Sequence, residues 1–260
     1  MRPDSYTIRN DLLRAMSPEE FDSLRPHLEF TTFDQGHLVQ QIDEPMDYIH
    51  FVESGIVSLV VRSAIEAPVE ISAVLPSGMI GSEIMFGAGK AIYRAVVQVP
   101  DTLVVRIKLE DLRRAQRQHP NIDRIFLEFA RFLMRAAAQN LFCQAKHSLE
   151  QRLAKWLVIA SGQFDDGLIP VKQDDLAMAL GVHRPSVSWA VARLANLGLV
   201  ERRRAAIQLS DTSKLCAHAC PCVSMIKRFE LHRGVGTTHK LGHERFPERT
   251  ADCEQLSLVL

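Results

Sequence analysis

Arginines, hydroxyls and one tryptophan recur between residues 184 and 204 at spacings that suit the reading of a DNA duplex. At about 100° per residue, a helix through RPSVSWAVARLANL puts Pro185, Ser188, Trp189, Ala192 and Arg193 on one side, with Arg184 at the leading end. Val187, Ala190, Val191 and Leu194 fall on the other side and supply an inward face. An arginine near the start of such a helix suits a bidentate contact to guanine O6 and N7. Arg184, Ser188, Trp189 and Arg193 are therefore the candidate base-reading residues, Trp189 either meeting a thymine methyl or packing on the wing. Gln173, Ser186, Arg202, Arg203 and Arg204 are the candidate phosphate contacts.

The elements that must hold these side chains are legible around them. Gln173, Asp174 and Asp175 start a short helix carrying Leu176, Ala177, Met178 and Leu180, and carboxylates there suit the positive end of the helix dipole. Gly181 permits a tight turn. Pro185 sits in the first turn of the second helix, where a missing N–H is harmless, and Gly198 ends that helix. Leu199-Val200-Glu201 and Ile207-Gln208-Leu209 then flank the basic turn 202–206 as two short strands. Together these make a winged helix-turn-helix. The competing reading is a helical hairpin with a solvated charge run.

Cysteine offers a second chemistry. Cys216, Cys220 and Cys222 crowd together with His218 in KLCAHACPCV, while Cys143 and Cys253 stand apart. The spacing C-x3-C-x-C fits neither a zinc knuckle nor a ferredoxin run. Reduced, partly buried thiols are expected, with no metal site and no bound cofactor. His239 and His243 have helical metal spacing, but Gly242 lies between them.

Composition limits the remaining choices. At 260 residues the chain has room for two domains. No run approaches the ~20 apolar residues of a membrane-spanning helix. The start, MRPDSYTIRNDLLRAM, lacks the apolar core of a secretory signal, so a cytoplasmic location without membrane contact is expected. The zero net charge hides an asymmetry: residues 1–110 hold 9 Lys+Arg against 16 Asp+Glu, whereas 111–145 hold 6 against 3 and 146–214 hold 10 against 7. The excess positive charge coincides with the helix-turn-helix, as a DNA footprint requires. No nucleophile–base pair, phosphate-binding loop or carboxylate dyad argues for an enzyme.

Ahead of the motif, Ser17-Pro18-Glu19-Glu20 starts a helix that runs to about residue 28. FTTF, HLVQQI, YIHFV, GIVSLVV, VEISAVL, RAVVQV and TLVVRI then read as short strands separated by turns such as Asp34-Gln35-Gly36, Ser54-Gly55 and Pro76-Ser77-Gly78. The pattern predicts an antiparallel roll over 15–110. Residues 111–145 form a long helix, broken at Pro120, that is apolar nearly all round through Ile122, Ile125, Phe126, Phe129, Phe132, Leu133, Ala136 and Leu141. One side would cover the roll and the other pair with a second copy, the alternative being burial within one chain. A further helix from His147 to Ser161 opens the module 146–214. The segment 230–260 reads as a flexible tail. The fold class is α+β.

Roll, long helix and winged helix-turn-helix, in that order over roughly 15–225, resemble the Crp–Fnr family of bacterial transcription regulators. Residues Tyr48–Val57, Gly78–Glu83 and Leu149–Leu157 carry the resemblance alongside the helix-turn-helix. It implies a double-stranded jelly-roll sensor domain of the cyclic-nucleotide-binding type, a dimerisation helix, and a homodimer on a palindromic double-stranded DNA site. RNA polymerase is a further partner if the protein activates. The other reading is a cyclic-nucleotide sensor with an output other than DNA binding.

The resemblance also marks a candidate pocket for a small-molecule effector at Gly81, Ser82, Glu83 and Arg94. Family members that bind cyclic nucleotides use a Gly-Glu pair and an Arg-Ser or Arg-Thr pair. Here Ser82 separates Gly81 from Glu83, and Ala95 follows Arg94. The loop 84–93 is about two residues longer than in cyclic-AMP-binding members. Arg135-Ala136-Ala137-Ala138-Gln139 offers alanines where those members present hydroxyls to adenine, so the expected effector is not cyclic AMP. Arg94 is expected instead to pair with Glu83. No cysteine precedes Cys143, which argues against the family's N-terminal iron–sulfur cluster. His50, His119 and His147 are available as haem ligands, but a lone histidine is more often structural.

Overall fold

The computed structural model describes residues 7–226 apart from positions 66 and 88, so the tail expected over 230–260, with His239 and His243, lies outside the described residues. Two short helices, α1 (Asp11–Arg14) and α2 (Pro18–Leu24), open the chain. Ser17 caps α2 by accepting from the Glu20 N–H, and the Glu20 carboxylate returns to the Ser17 N–H at 2.7 Å, the reciprocal cap that the S-P-E-E run predicts.

Eight strands follow: β1 (Glu29–Phe33), β2 (Leu38–Gln40), β3 (Tyr48–Val52), β4 (Val57–Val61), β5 (Val69–Val74), β6 (Met79–Ile80), β7 (Arg94–Val97) and β8 (Thr102–Lys108). They form two antiparallel four-stranded sheets ordered β1-β8-β3-β6 and β2-β7-β4-β5. Residues from both sheets, among them Ile49, Phe51, Leu59, Val97 and Val105, fill one core, which Phe126 and Phe129 of the long helix close. Gly55 makes the β3–β4 turn at φ +91°, and a Cβ there would lie 2.3 Å from Thr102 Oγ1. Only glycine satisfies both demands.

The helical segment divides at Pro120 into α3 (Leu109–Gln118) and α4 (Asn121–Lys146). On α4, Ile122, Ile125, Phe126, Phe129, Leu133 and Ala136 are buried. Leu127, Met134 and Leu141 are exposed at 46%, 64% and 72%, so Leu141 belongs to an outward stripe and not to the roll's core.

A second core joins α5 (Leu149–Ser161), α6 (Gln173–Leu180), α7 (Arg184–Asn196) and α8 (Thr212–His218) to a three-stranded sheet. That sheet has the order β10 (Val200–Arg203), β11 (Ala206–Leu209), β9 (Leu168–Ile169). Ile56 and Val99 from the end of the roll belong to the same cluster. The roll meets α6 through Gln35, whose Nε2 donates to Asp175 Oδ2 at 2.8 Å and to the Gln98 carbonyl at 2.8 Å. Among the described residues no helix is long and apolar enough to cross a membrane.

Candidate nucleic-acid interface

The two faces of α7 separate as the period requires. Val187, Ala190, Val191 and Leu194 are at most 1% exposed and pack into the second core. Arg184, Pro185, Trp189 and Arg193 are exposed, and Ser188 and Ala192 are half-buried. Gly181 ends α6 at φ +62°, which turns the chain sharply enough for α7 to lie across α6.

Four of the candidate contacts, Gln173, Arg184, Arg202 and Arg203, line one groove. A groove of about 380 Å³ is lined by Lys172, Gln173, Asp174, Arg184, Arg202 and Arg203 together with Ala205 and Ala206. Arg184, the candidate base-reading arginine of α7, therefore stands beside Arg202 and Arg203 of the wing. Ser188 Oγ donates to Gln173 Oε1 at 2.5 Å, tying the middle of α7 to the start of α6. Arg184 Nε lies 3.6 Å from Asp174 Oδ1, with both side chains about two-thirds exposed at 64% and 67%. Arg193 turns towards α5, 3.2 Å from Glu150 Oε1, and its guanidinium stands 5.7 Å from the centre of the Trp189 ring. Trp189 thus packs on Arg193 while staying 57% exposed.

On the wing, Arg203 pairs across a short distance with Glu201 at 2.7 Å, and Arg202 and Arg204 are exposed. The β10–β11 turn is two residues long, Arg204-Ala205, with Ala205 at φ +55°. Ser186 is half-buried in the first turn of α7.

Residues 151–218 match the Crp-like helix-turn-helix domain family. The CRP-like cAMP-activated global transcriptional regulator of Mycobacterium tuberculosis is 23% identical over 223 residues, covering 83% of this chain and 99% of that protein. FixK2 from Bradyrhizobium japonicum superposes with a TM-score of 0.64 at 19% identity, covering 74% of this chain and 98% of that one. The c-di-GMP responsive global regulator CLP of Xanthomonas campestris superposes with a TM-score of 0.62 at 15% identity, over 75% and 100% of the two chains.

Over residues 151–218 the chain is similar to the Crp-like helix-turn-helix domain, and along most of its length it is similar to CRP-like regulators.

The matched relative is named a global transcriptional regulator, and the roll, long helix and helix-turn-helix follow the fold of the superposed structures. The residues that the resemblance marks as an effector pocket are only partly as expected. Gly81 has φ +96°, and Ser82 and Glu83 are buried at 5% and 2% exposure. Glu83 Oε1 accepts from Gln40 Nε2 at 2.6 Å and from the Ile92 N–H at 3.4 Å. The expected Arg94–Glu83 ion pair is not among the described contacts, because a neutral amide from the neighbouring strand β2 takes the carboxylate. Arg94 is half-buried, and its Nε has no hydrogen-bond partner.

A cavity of about 980 Å³ lies elsewhere, between roll, α4 and α5, with Glu70, Ser72, Ala136, Asn140 and Lys155 in its lining. Burial pushes the Glu70 carboxyl up to about 7, only partly offset by the Ser58 hydroxyl that donates to it and by Lys155. His50 is held neutral: burial, with Arg106 and His37 nearby, lowers it to about 4.

One group escaped the sequence reading. Cys143, His147, Cys220 and Cys222 converge, with all their ligand atoms within 4.8 Å of one another. The expectation of no metal site rested on the linear run Cys216, Cys220, Cys222, whereas the assembled set omits Cys216 and recruits two residues of α4. Cys143, Cys220 and Cys222 carry free thiols, and Cys216 does not, which departs from the all-thiol expectation. The available signal was Cys143-x3-His147, a one-turn spacing on a helix.

Proposed function

We propose that the chain is a homodimeric regulator that binds a palindromic duplex site through α7 and lays its wing along the flanking phosphates. The observation that carries this reading is the single groove lined by Arg184 and the wing arginines beside an outward α7 face bearing Ser188 and Trp189. In the bound state Arg184, Ser188, Trp189 and Arg193 read base edges. Gln173, Ser186, Arg202, Arg203 and Arg204 hold the backbone.

Dimerisation is supported by the exposed stripe of α4. Leu127, Met134 and Leu141 recur every seven residues, with Ala138 between the last two, and none of them faces the roll. That repeat fits a two-stranded coiled coil with a second copy. Two copies of α7 would then reach successive major grooves about one turn apart. The protein acts in the cytoplasm, and an activating role would add RNA polymerase as a partner.

The effector, if the chain takes one, is not cyclic AMP. Ala136 is buried, and its neighbours Ala137 and Ala138 present no hydroxyl to a base. The site proposed for another small molecule comprises Gly81, Ser82, Glu83 and Arg94, where the unpartnered Arg94 Nε offers a donor.

Binding to a labelled duplex at several salt concentrations tests the reading. Neutralising Arg202 and Arg204, four charges in the dimer, should weaken binding equally for all sequences and reduce the log–log salt slope by roughly 3.6. A slope unchanged by those substitutions would remove the wing from the phosphate-contacting role. Cyclic AMP added at saturation for a Crp-type site should leave affinity unchanged. A large stimulation would overturn the effector assignment.

A further inference from the structure

The joint between α4 and α5 holds a second set of chemically committed side chains. Cys143 and His147 stand one turn apart at the C-terminal end of α4, and His147 is the residue at which that helix stops. Cys220 and Cys222 come from the segment after α8, which returns to pack against α4 and α5. Cys143 Sγ is 3.9 Å from Cys220 Sγ, and Cys222 Sγ is 3.8 Å from His147 Nδ1. All three sulfurs belong to buried residues that form a small cluster of their own.

We propose that these four residues bind a structural zinc(II) ion in a Cys3His tetrahedron. Zinc–sulfur bonds of about 2.3 Å give a tetrahedron whose edges are about 3.8 Å. Both measured spacings match such an edge, so the ligands stand where a single ion would hold them. A disulfide requires sulfurs about 2.05 Å apart, so Cys143 and Cys220 are not joined. A [4Fe–4S] cluster binds each ligand to a different iron and a [2Fe–2S] cluster divides four ligands between two irons, so both spread the set more widely than one ion does.

The surroundings are built for thiolates. Lys155 is only 7% exposed, and its Nζ lies 3.5 Å from Cys143 Sγ and 2.8 Å from Asn140 Oδ1. Three thiolates and one zinc(II) sum to one negative charge, which the Lys155 ammonium balances. Gln139 Nε2 donates to Cys222 Sγ at 2.9 Å. Such outer donors orient thiolate ligands and tune their affinity. Beside neutral thiols the buried ammonium would be left with Glu70, whose own burial favours its neutral form.

The ion would join the end of the long helix to the segment that follows the winged module. It would thereby fix the α4–α5 joint, the point at which the roll's helix passes into the DNA-binding unit. This role is independent of which DNA sequence α7 reads.

Metal analysis of the unaltered full-length protein, purified under reducing conditions without chelator, tests the proposal. The expected result is one zinc per chain. The metal-free protein titrated with cobalt(II) should then develop the visible bands of a tetrahedral thiolate complex, saturating at one equivalent. Cys143→Ser and His147→Ala should lose stoichiometric zinc. Gln139→Ala should keep the site but weaken it about 10–100-fold. The cobalt(II) titration uses the unaltered chain, so misfolding of a cysteine variant cannot obscure the outcome. Absence of zinc together with no cobalt(II) spectrum would overturn the assignment, as would iron with acid-labile sulfide in place of zinc.

Discussion

Substituting Arg184 and its partner Asp174 separately distinguishes a base-reading arginine from a general cation. In the free protein Arg184 Nε lies 3.6 Å from Asp174 Oδ1, with both side chains largely in water. A surface pair of that kind contributes about 0.2–1 kcal/mol and weakens with salt. A bidentate contact to guanine contributes about 1–3 kcal/mol of discrimination against the wrong base. Arg184→Ala should therefore lose about 5- to 150-fold of the preference for guanine at one position of each half-site, with little change elsewhere. Asp174→Asn removes a competitor that DNA must displace. It should tighten binding by about 1.4- to 5-fold at low salt, an advantage that shrinks as salt rises. Fluorescence anisotropy with the preferred duplex and its single-base variants measures both effects. If Arg184→Ala weakened every duplex by the same factor, Arg184 would be a phosphate contact. If Asp174→Asn weakened binding, the pair would be positioning Arg184 rather than restraining it.

Further outcomes follow from the packing. Leu141→Glu places charge at the C-terminal end of the exposed α4 stripe and should leave the fold intact within about 0.5 kcal/mol. Sedimentation should show monomers at concentrations where the parent chain is dimeric, and an unchanged association constant would exclude the stripe as the interface. Gly55→Ala adds a Cβ 2.3 Å from Thr102 Oγ1 at φ +91° and should destabilise the roll by about 2–4 kcal/mol in denaturant titration; a loss below half a kilocalorie would mean the turn can relax. Glu70 has a folded-state value of about 7 against an ordinary 4.5, so the folded state holds its proton more tightly. Its contribution is greatest at low pH and declines as pH rises from about 4.5 through 7, by up to about 3 kcal/mol. His50, lowered from 6.5 to about 4, acts oppositely, its stabilisation being lost as pH falls through that window. The stability difference between Glu70→Gln and the parent, measured from pH 5 to 8, cancels the His50 contribution and should grow with pH in the variant's favour. A difference independent of pH would show that Glu70 does not titrate there.

The helix-turn-helix was legible because its signals are local. The inward set Val187, Ala190, Val191 and Leu194 follows the helical period, and Gly181 and Gly198 punctuate it at positive φ. The longer strands of the roll were legible for a similar reason, as apolar runs between turn residues. The two-residue strands β6 and β9 were not, because their pairing is set by partners distant in sequence. Glu83 and Arg94 are paired in the expectation because the resemblance places both at one pocket, yet Gln40, 43 positions from Glu83, takes the carboxylate. The cysteine set shows the same limit more sharply. Cys143 lies 77 positions from Cys220, so only the return of the C-terminal segment onto α4 and α5 brings them together. Leu141 belongs to a set that makes α4 apolar nearly all round, and only the rotation of α4 about its axis decides that it faces outward.

Selection of bound duplexes from a randomised pool, followed by sedimentation of the protein on the winning sequence, tests the central claim most directly. The predicted result is two chains on one site with two-fold symmetric half-sites about one DNA turn apart, each half-site losing its guanine preference in Arg184→Ala. A single chain on an asymmetric sequence, or binding with no sequence preference, would contradict the account.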